Sequence, residues 1–392
     1  MPSRFTLGIE EEFQLVKRQT GELCSCVNSI LEKGTPYFEE KIKPEMLQST
    51  IELISNVLPD MATARKNLYT QRALLARLVE QEGLALISAG THPTAYWRDQ
   101  ERTEKDRYAE LEEEFQDVGR SILIFGLHVH VGVEDKELAV MLMNQLRMWF
   151  PHLLAISSNS PFWNGHCTGL KSYRSVVWKR FPRSGLPEVM SSRAVFDRYV
   201  QDLIDMGCID NAKKIWWDMR PHPFFDTVEF RVCDMPGTIE DTLAIAALSQ
   251  ALVAKLVWLH EHNMLVHTLP RDYIEENKWR AMRYGLDAEI IDFVHRRRLP
   301  IRNAIHELLD FVEDVVDVLG SRHEMNYLRA LLDSPDGTGA DRQIATYQKN
   351  KDVDEVLALL MEQTMQGVEL RQADLSNGFL KFKMYETVGQ EE

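Results

Sequence analysis

Three short segments of this 392-residue chain alternate strictly between apolar and polar positions. In "TLGIEEEFQLV", Leu7, Ile9, Phe13 and Leu15 are apolar, whereas Thr6, Gly8, Glu10, Glu12 and Gln14 are not. "GLHVHVGV" sets Leu127, Val129, Val131 and Val133 against Gly126, His128, His130 and Gly132. "TVEFRVCD" sets Val228, Phe230 and Val232 against Glu229 and Arg231. A period of two is that of a strand with one buried face. Each segment is therefore expected to turn apolar side chains to a core and charge or imidazole to the other face. Glu11 breaks the rule. It falls on the side of Ile9 and Phe13, where a carboxylate needs a partner, and it reads as a structural ion pair or a strand-edge residue.

Helical spacing dominates elsewhere. "TARKNLYTQRALLARLVEQEG", from Thr63, is expected to end at Gly83. "DKELAVMLMNQLRMWFPHLLAISSNSP" reads as a helix up to Pro151 followed by a second apolar piece. Glu240 to His262 forms a long apolar helix, and Ser249, Gln250 and Lys255 within it favour a buried helix over a membrane span. After about residue 270 the pattern is nearly all helical, "IRNAIHELLDFVEDVVDVLG" being the clearest case and "DSPDGTGADR" the best loop signal. No internal repeat or low-complexity linker interrupts the chain. The expectation is one catalytic α+β domain over residues 1–392, with a mixed sheet and helix core to about 238 and a mainly helical part over 239–392. Helices would cover one face of an antiparallel sheet and leave the other open.

Charge narrows the functions. A net charge of −15 argues against a general nucleic-acid or membrane-surface binder, which needs a basic stripe. It leaves room for a small anionic ligand held by a few arginines. The odd set Cys24, Cys26, Cys167, Cys208 and Cys233 fits reduced thiols, and no second Cys/His pair follows the C-x-C at zinc spacing. With no apolar run at the N-terminus, a cytoplasmic location is expected. The apolar C-terminal helices leave a homo-oligomer open.

If the three strands share a sheet, Glu10, Glu12, His128, His130, Glu229 and Arg231 project from one face. Carboxylates this close repel, and a divalent cation relieves the repulsion. Mg²⁺ prefers oxygen ligands, and Mn²⁺ takes the same ligands plus imidazole. A single E-x-E or H-x-H on a strand is ordinarily a solvated face; the coincidence of three such strands favours a metal-centred site. Arg174, Arg180, Arg183 and Arg220 cluster between the last two strands and suit either a phosphate site or local surface ion pairs. No P-loop, Rossmann or nucleophile-elbow motif is present.

Taken in order, "LGIEEEFQLV", "STIELIS", "SAGTHP", "GLHVHVGV", "WWDMRPHPFFDTVEFRVCD" and "RAMRYGLDA" resemble the bacterial carboxylate-amine ligase family, also called glutamate-cysteine ligase type 2. The resemblance runs from about Arg4 into the helical C-terminal part. It implies a glutamine-synthetase-like fold whose concave, curved antiparallel sheet carries metal, nucleotide and amino acid. It further implies metal ligation by Glu10, Glu12, Glu45, Glu52, His128 and Glu229, and nucleotide contacts from His130, Arg220 and Arg231. Arg174 would meet phosphate or substrate carboxylate, and Thr91 and His92 would edge the cleft beside the substrate. Arg231, Arg220 and Arg174 would be the catalytic cations. The implied reaction spends ATP, with Mg²⁺ (or Mn²⁺), to activate an amino-acid carboxylate such as that of glutamate as an acyl phosphate, which an amine then attacks. Cysteine ligation is a weak activity in this family. The rival readings are a guanidino-kinase-like phosphotransferase and a non-catalytic nucleotide-binding protein of the same fold.

Overall fold

A computed structural model of the protein describes residues 4–368; the part of the expected helical region over 369–392 lies outside the described residues. Seven strands form the main sheet: β1 (Leu7–Lys17), β2 (Ile42–Pro44), β3 (Thr50–Ile54), β4 (Leu84–Ile87), β5 (Gly126–Gly132), β6 (Met219–Pro221) and β7 (Thr227–Asp234). Their order is β6–β7–β5–β1–β3–β2, with β4 pairing beside β1, and every pairing is antiparallel. The three strands expected from alternation are thus adjacent at the centre.

Register decides which side chains meet. Residues directly opposite in an antiparallel pair share a face and stand close together. Glu10 lies opposite His128, and Glu12 opposite Glu52. Glu229 lies opposite His130 on one side and Arg220 on the other. Charge separated by up to 219 positions in sequence is therefore gathered on one surface by strand pairing alone.

The other face is closed by helices. Met61–Gln81 starts at Asp60, whose side chain accepts from the Thr63 N–H at 2.7 Å. It ends before Gly83, at φ +72°, as expected for a left-handed helix stop. The apolar helix Ile239–Glu261 starts at the cap Thr238 and packs on β1, β5 and Met61–Gln81. It is long and apolar enough to cross a membrane, yet 83% of its most apolar window is buried inside the protein. Leu7, Phe13, Val129, Phe230, Leu252, Leu308 and Leu328 belong to one buried cluster shared by the sheet and the later helices. Each such side chain contributes about 1.5–3 kcal/mol on burial.

The pattern over Ile301–Gly320 is helical as expected, in two helices, Ile301–Phe311 and Glu313–Leu319, with a break at Val312. One expectation needs correction. The nearly all-helical reading misses the hairpin Glu289–Asp292 with Arg297–Pro300, whose arginine-rich second strand carries no apolar alternation. Around Pro151 the reading holds in outline: Lys136–Leu146 passes through a short 3-10 turn into Phe150–Ser157, with the proline in the first turn.

Candidate active site

The open face of the sheet is the floor of a cleft of about 380 Å³. Glu10, Glu12, Glu45, Glu52, His128 and Glu229 line it, together with Arg174, Arg220 and Arg231. Strands carry seven of these nine; Glu45 sits just past β2, and Arg174 opens the short helix Arg174–Trp178.

The acids are not equivalent. Glu10 accepts from His128 Nδ1 at 3.0 Å, and its other oxygen lies 3.3 Å from His130 Nε2. Burial works against the Glu10 charge, but the two imidazoles overcome it and hold the carboxyl well below its usual range. Glu229 is buried too, and again cations prevail. Arg220 Nε donates to it at 2.6 Å and Arg231 pairs with its other oxygen, which keeps it well below the usual carboxylate range. Among the described residues Glu12, Glu45 and Glu52 form no such ion pair, and the cations near them are outweighed. Burial and the neighbouring Glu45 charge push Glu12 up to about 7, although it accepts from the Gly126 N–H at 2.5 Å. Burial, followed by the charges of Glu10, Glu45 and Glu12, drives Glu52 well above its ordinary value. Burial also lifts Glu45. One end of the floor is thus charge-balanced, whereas the other holds acids that gain from a cation.

Two sets of three side chains place ligand atoms within 4.8 Å of one another: Glu10 with Glu52 and His128, and Glu10 with His130 and Glu229. Both combine carboxylate oxygen with imidazole nitrogen. His130 Nε2 is buried and faces the Glu10 carboxylate at 3.3 Å, and burial holds His128 near 4, so that its imidazole is neutral and able to ligate. The donor set fits Mg²⁺ or Mn²⁺. His130 joins the acidic centre through this geometry, beyond the nucleotide contact expected of it.

The arginines gather at the charge-balanced end, around Glu229. Arg220 is held by Glu229 and by the carbonyls of Lys213 and Ile215, at 2.9 and 2.8 Å. Arg231 lies over the Trp178 ring, 5.7 Å from its centroid. Arg174 donates from Nη2 to the Arg231 carbonyl at 3.3 Å, while its buried Nε has no partner among the described residues. A Cβ at position 126 would collide with the Arg174 guanidinium, so β5 must begin with glycine for Arg174 to cross it.

The whole chain can now be set beside known proteins. A sequence model of glutamate-cysteine ligase family 2 matches residues 6–363. The chain belongs to that family. It is 47% identical over 370 residues to a protein of Sorangium cellulosum, covering 94% of this chain and 98% of that protein. It is 48% identical over 364 residues to one of Solibacter usitatus, covering 93% and 94%. Both carry glutamate–cysteine ligase 2 as a provisional name. The fold matches a glutamate–cysteine ligase of Francisella tularensis, solved with AMP, at a TM-score of 0.71 and 13% identity, covering 100% of this chain and 95% of that one. A bifunctional glutathione synthetase of Pasteurella multocida matches at 0.67 and 14% identity, covering 93% and 52%. As a member of family 2 the protein is an enzyme, a ligase that forms carbon–nitrogen bonds, on a glutamine-synthetase-like α+β fold.

Two residues assigned to the cleft of this family 2 chain do not line it. Thr91 is buried and donates to the Phe162 carbonyl at 2.8 Å. His92 is fully buried: Nε2 lies 2.8 Å from the Gly21 carbonyl, and Nδ1 accepts from the Ala95 N–H at 3.0 Å. Burial lowers His92 to about 4, and the neutral ring ties its own loop to the turn at Gly21. Arg180 and Arg183 also point elsewhere, to Ser121 and to the Lys214 carbonyl. Conversely, Lys43, Lys105, Arg107 and Lys213 line the cleft, as do Tyr108, Phe224 and Phe225. None of them sits in an alternating strand, so periodicity gave no signal. The "HPFF" run beside Arg220 was the one visible hint.

Proposed function

We propose that the protein spends ATP to join an amino-acid carboxylate, glutamate in the first instance, to an amine through an acyl phosphate. The observation that carries this reading is the juxtaposition, in one cleft, of under-neutralised acids with three buried arginines. Glu10, Glu12, Glu45, Glu52, His128 and Glu229 would hold Mg²⁺, with Mn²⁺ as the alternative, and a cation there neutralises phosphate charge. Arg220 and Arg231 are fixed by Glu229 before any ligand arrives. Their remaining N–H groups would be available to phosphate oxygens at no cost of reorganisation. The free Nε of Arg174 is a donor for a phosphate or a substrate carboxylate. Phosphoryl transfer asks a protein chiefly for such positioning and charge balance. The attacking amine must shed protons, to a carboxylate or to a substrate phosphate. Cysteine is the acceptor in the relatives' name, and the reading extends to amines at large.

The deciding assay incubates the protein with ATP, Mg²⁺, glutamate and a panel of amines that includes cysteine. A ligase releases free phosphate in step with a new amide. A stable phosphorylated product without amide would instead establish the guanidino-kinase-like reading.

A further inference from the structure

Asp234, at the end of β7, is fully buried and does not line the cleft. Its Oδ2 accepts from the Asn159 N–H at 2.9 Å and from Ser160 Oγ at 2.6 Å. Its Oδ1 accepts from Ser172 Oγ at 2.7 Å. Ser160 Oγ in turn accepts from the backbone N–H of Arg174 at 3.0 Å, and Ser172 Oγ lies 2.9 Å from Ser175 Oγ. We propose that Asp234 is a positioning residue for the ligase reaction, fixing Arg174 through Ser160 and Ser172.

Hydrogen-bond polarity sets the direction of each contact around Asp234. An ionised carboxylate only accepts. Both serine hydroxyl protons are therefore committed to Asp234, and both serine oxygens are left as acceptors. The Arg174 N–H gains an acceptor of fixed direction, and Ser175 becomes the donor to Ser172. At the far end of the same residue, the guanidinium is held by the Arg231 carbonyl at 3.3 Å and crosses Gly126. Main chain and guanidinium are thus both anchored to β7, three residues apart. A neutral amide at position 234 would present N–H to one serine, reverse its hydrogen bond, and release one anchor. Burial pushes the Asp234 carboxyl up, while the Arg174 charge and the serine donors oppose it. A buried carboxylate facing neutral donors is expensive, and a fixed donor direction at Arg174 is what that arrangement secures.

This inference rests on the reading of Arg174 as a cleft residue that meets phosphate or carboxylate. The test measures kcat and KM for ATP and glutamate, with thermal unfolding, for Asp234→Asn, Ser160→Ala, Arg174→Ala and the double variant Asp234→Asn/Arg174→Ala. Asp234→Asn is expected to lower kcat/KM about 10²-fold, the scale of an ångström-sized misplacement. Ser160→Ala, which leaves the carboxylate in place, should lower it about tenfold and carries the test if Asp234→Asn fails to fold. In the Arg174→Ala background, Asp234→Asn should cost less than about threefold, because the group it positions is gone. A structural role alone would give additive losses, or a lower melting temperature with kcat/KM retained, and either result would overturn the proposal. An impaired Arg174→Ala beside unimpaired Asp234→Asn and Ser160→Ala would overturn this inference alone. A wild-type rate for Arg174→Ala would overturn the assignment of Arg174 in the proposed function as well.

Discussion

The two faces of β1 treat the same side chain in opposite ways. Glu11 points into the helix side, 1% exposed, and meets Arg72, which is also fully buried. The same Glu11 oxygen accepts from Thr242 Oγ1 at 3.2 Å, and Arg72 further donates to the carbonyls of Gly237 and Thr364. That carboxylate is balanced inside the fold. Glu12, the next residue, is also largely buried, but its nearest charged neighbours include Glu45, and it is pushed up to about 7. One face spends its charge on holding strand, helix and the Thr238 loop together. The other keeps charge that folding alone leaves under-neutralised. Buried charge without an internal partner marks a site that awaits an external one.

The largest effect expected is on turnover. Glu10→Gln or Glu229→Gln should lower kcat/KM by about 10³-fold or more, the scale seen when a preorganised charge-stabilising group is lost. Glu10 belongs to both candidate ligand sets, and Glu229 also anchors Arg220 and Arg231. Calorimetric titration with Mg²⁺ and ATP should show weaker metal-dependent binding by both variants. A wild-type rate for either would remove that residue from the centre.

Glu11 should behave in the reverse manner. Breaking its pair with Arg72→Met leaves a buried, uncompensated carboxylate and should cost about 3–5 kcal/mol in urea unfolding. The double variant Glu11→Leu/Arg72→Met should recover most of that loss, since apolar residues of similar volume often replace a buried pair without penalty. Folded double variant should retain kcat/KM within about threefold, because additivity holds for groups that share no partner with the site. A loss of activity as large as that of Glu10→Gln would erase the distinction between the faces.

How much of this was legible in the sequence follows from the range of the interactions. Alternation is local, so it exposed β1, β5 and β7, separated Glu11 from Glu10 and Glu12, and brought His128, His130, Glu229 and Arg231 to one face. Glu52 obeys the same rule within β3, but that strand is only five residues long, and Ile54 blurs its pattern. Glu45 and Arg174 reach the cleft from a loop and a short helix; the arginine cluster already singled out Arg174, whereas only the resemblance pointed to Glu45. Thr91 and His92 were placed at the cleft edge by the resemblance alone, and Phe162 and Gly21, distant in sequence, bury them instead. The basic and aromatic rim of Lys43, Arg107, Lys213 and Phe225 comes from a three-residue strand, a helix, a 3-10 turn and a loop, and no period of two marks any of them.

The smallest effect, on stability rather than turnover, tests the comparison most directly. Glu12 has a folded-state value raised to about 7 from an ordinary 4.5. Between those values the folded protein binds a proton that the unfolded chain does not. Its contribution is therefore fully present below about pH 4.5 and is lost as pH rises through 7. Glu12→Gln has no such proton to lose, and its amide oxygen can still accept from the Gly126 N–H. Without metal, the variant should match wild type near pH 5 and exceed it by about 1–3 kcal/mol at pH 8. Saturating Mg²⁺ should narrow that gap, because a cation bound only by the folded state raises wild-type stability by mass action. Glu11→Gln should show no gain at pH 8, since its carboxylate already has Arg72. Thermal unfolding at the two pH values, with and without Mg²⁺, measures all four terms. A Glu12→Gln variant less stable than wild type at pH 8 would mean that the cleft face, like the helix face, balances its own charge.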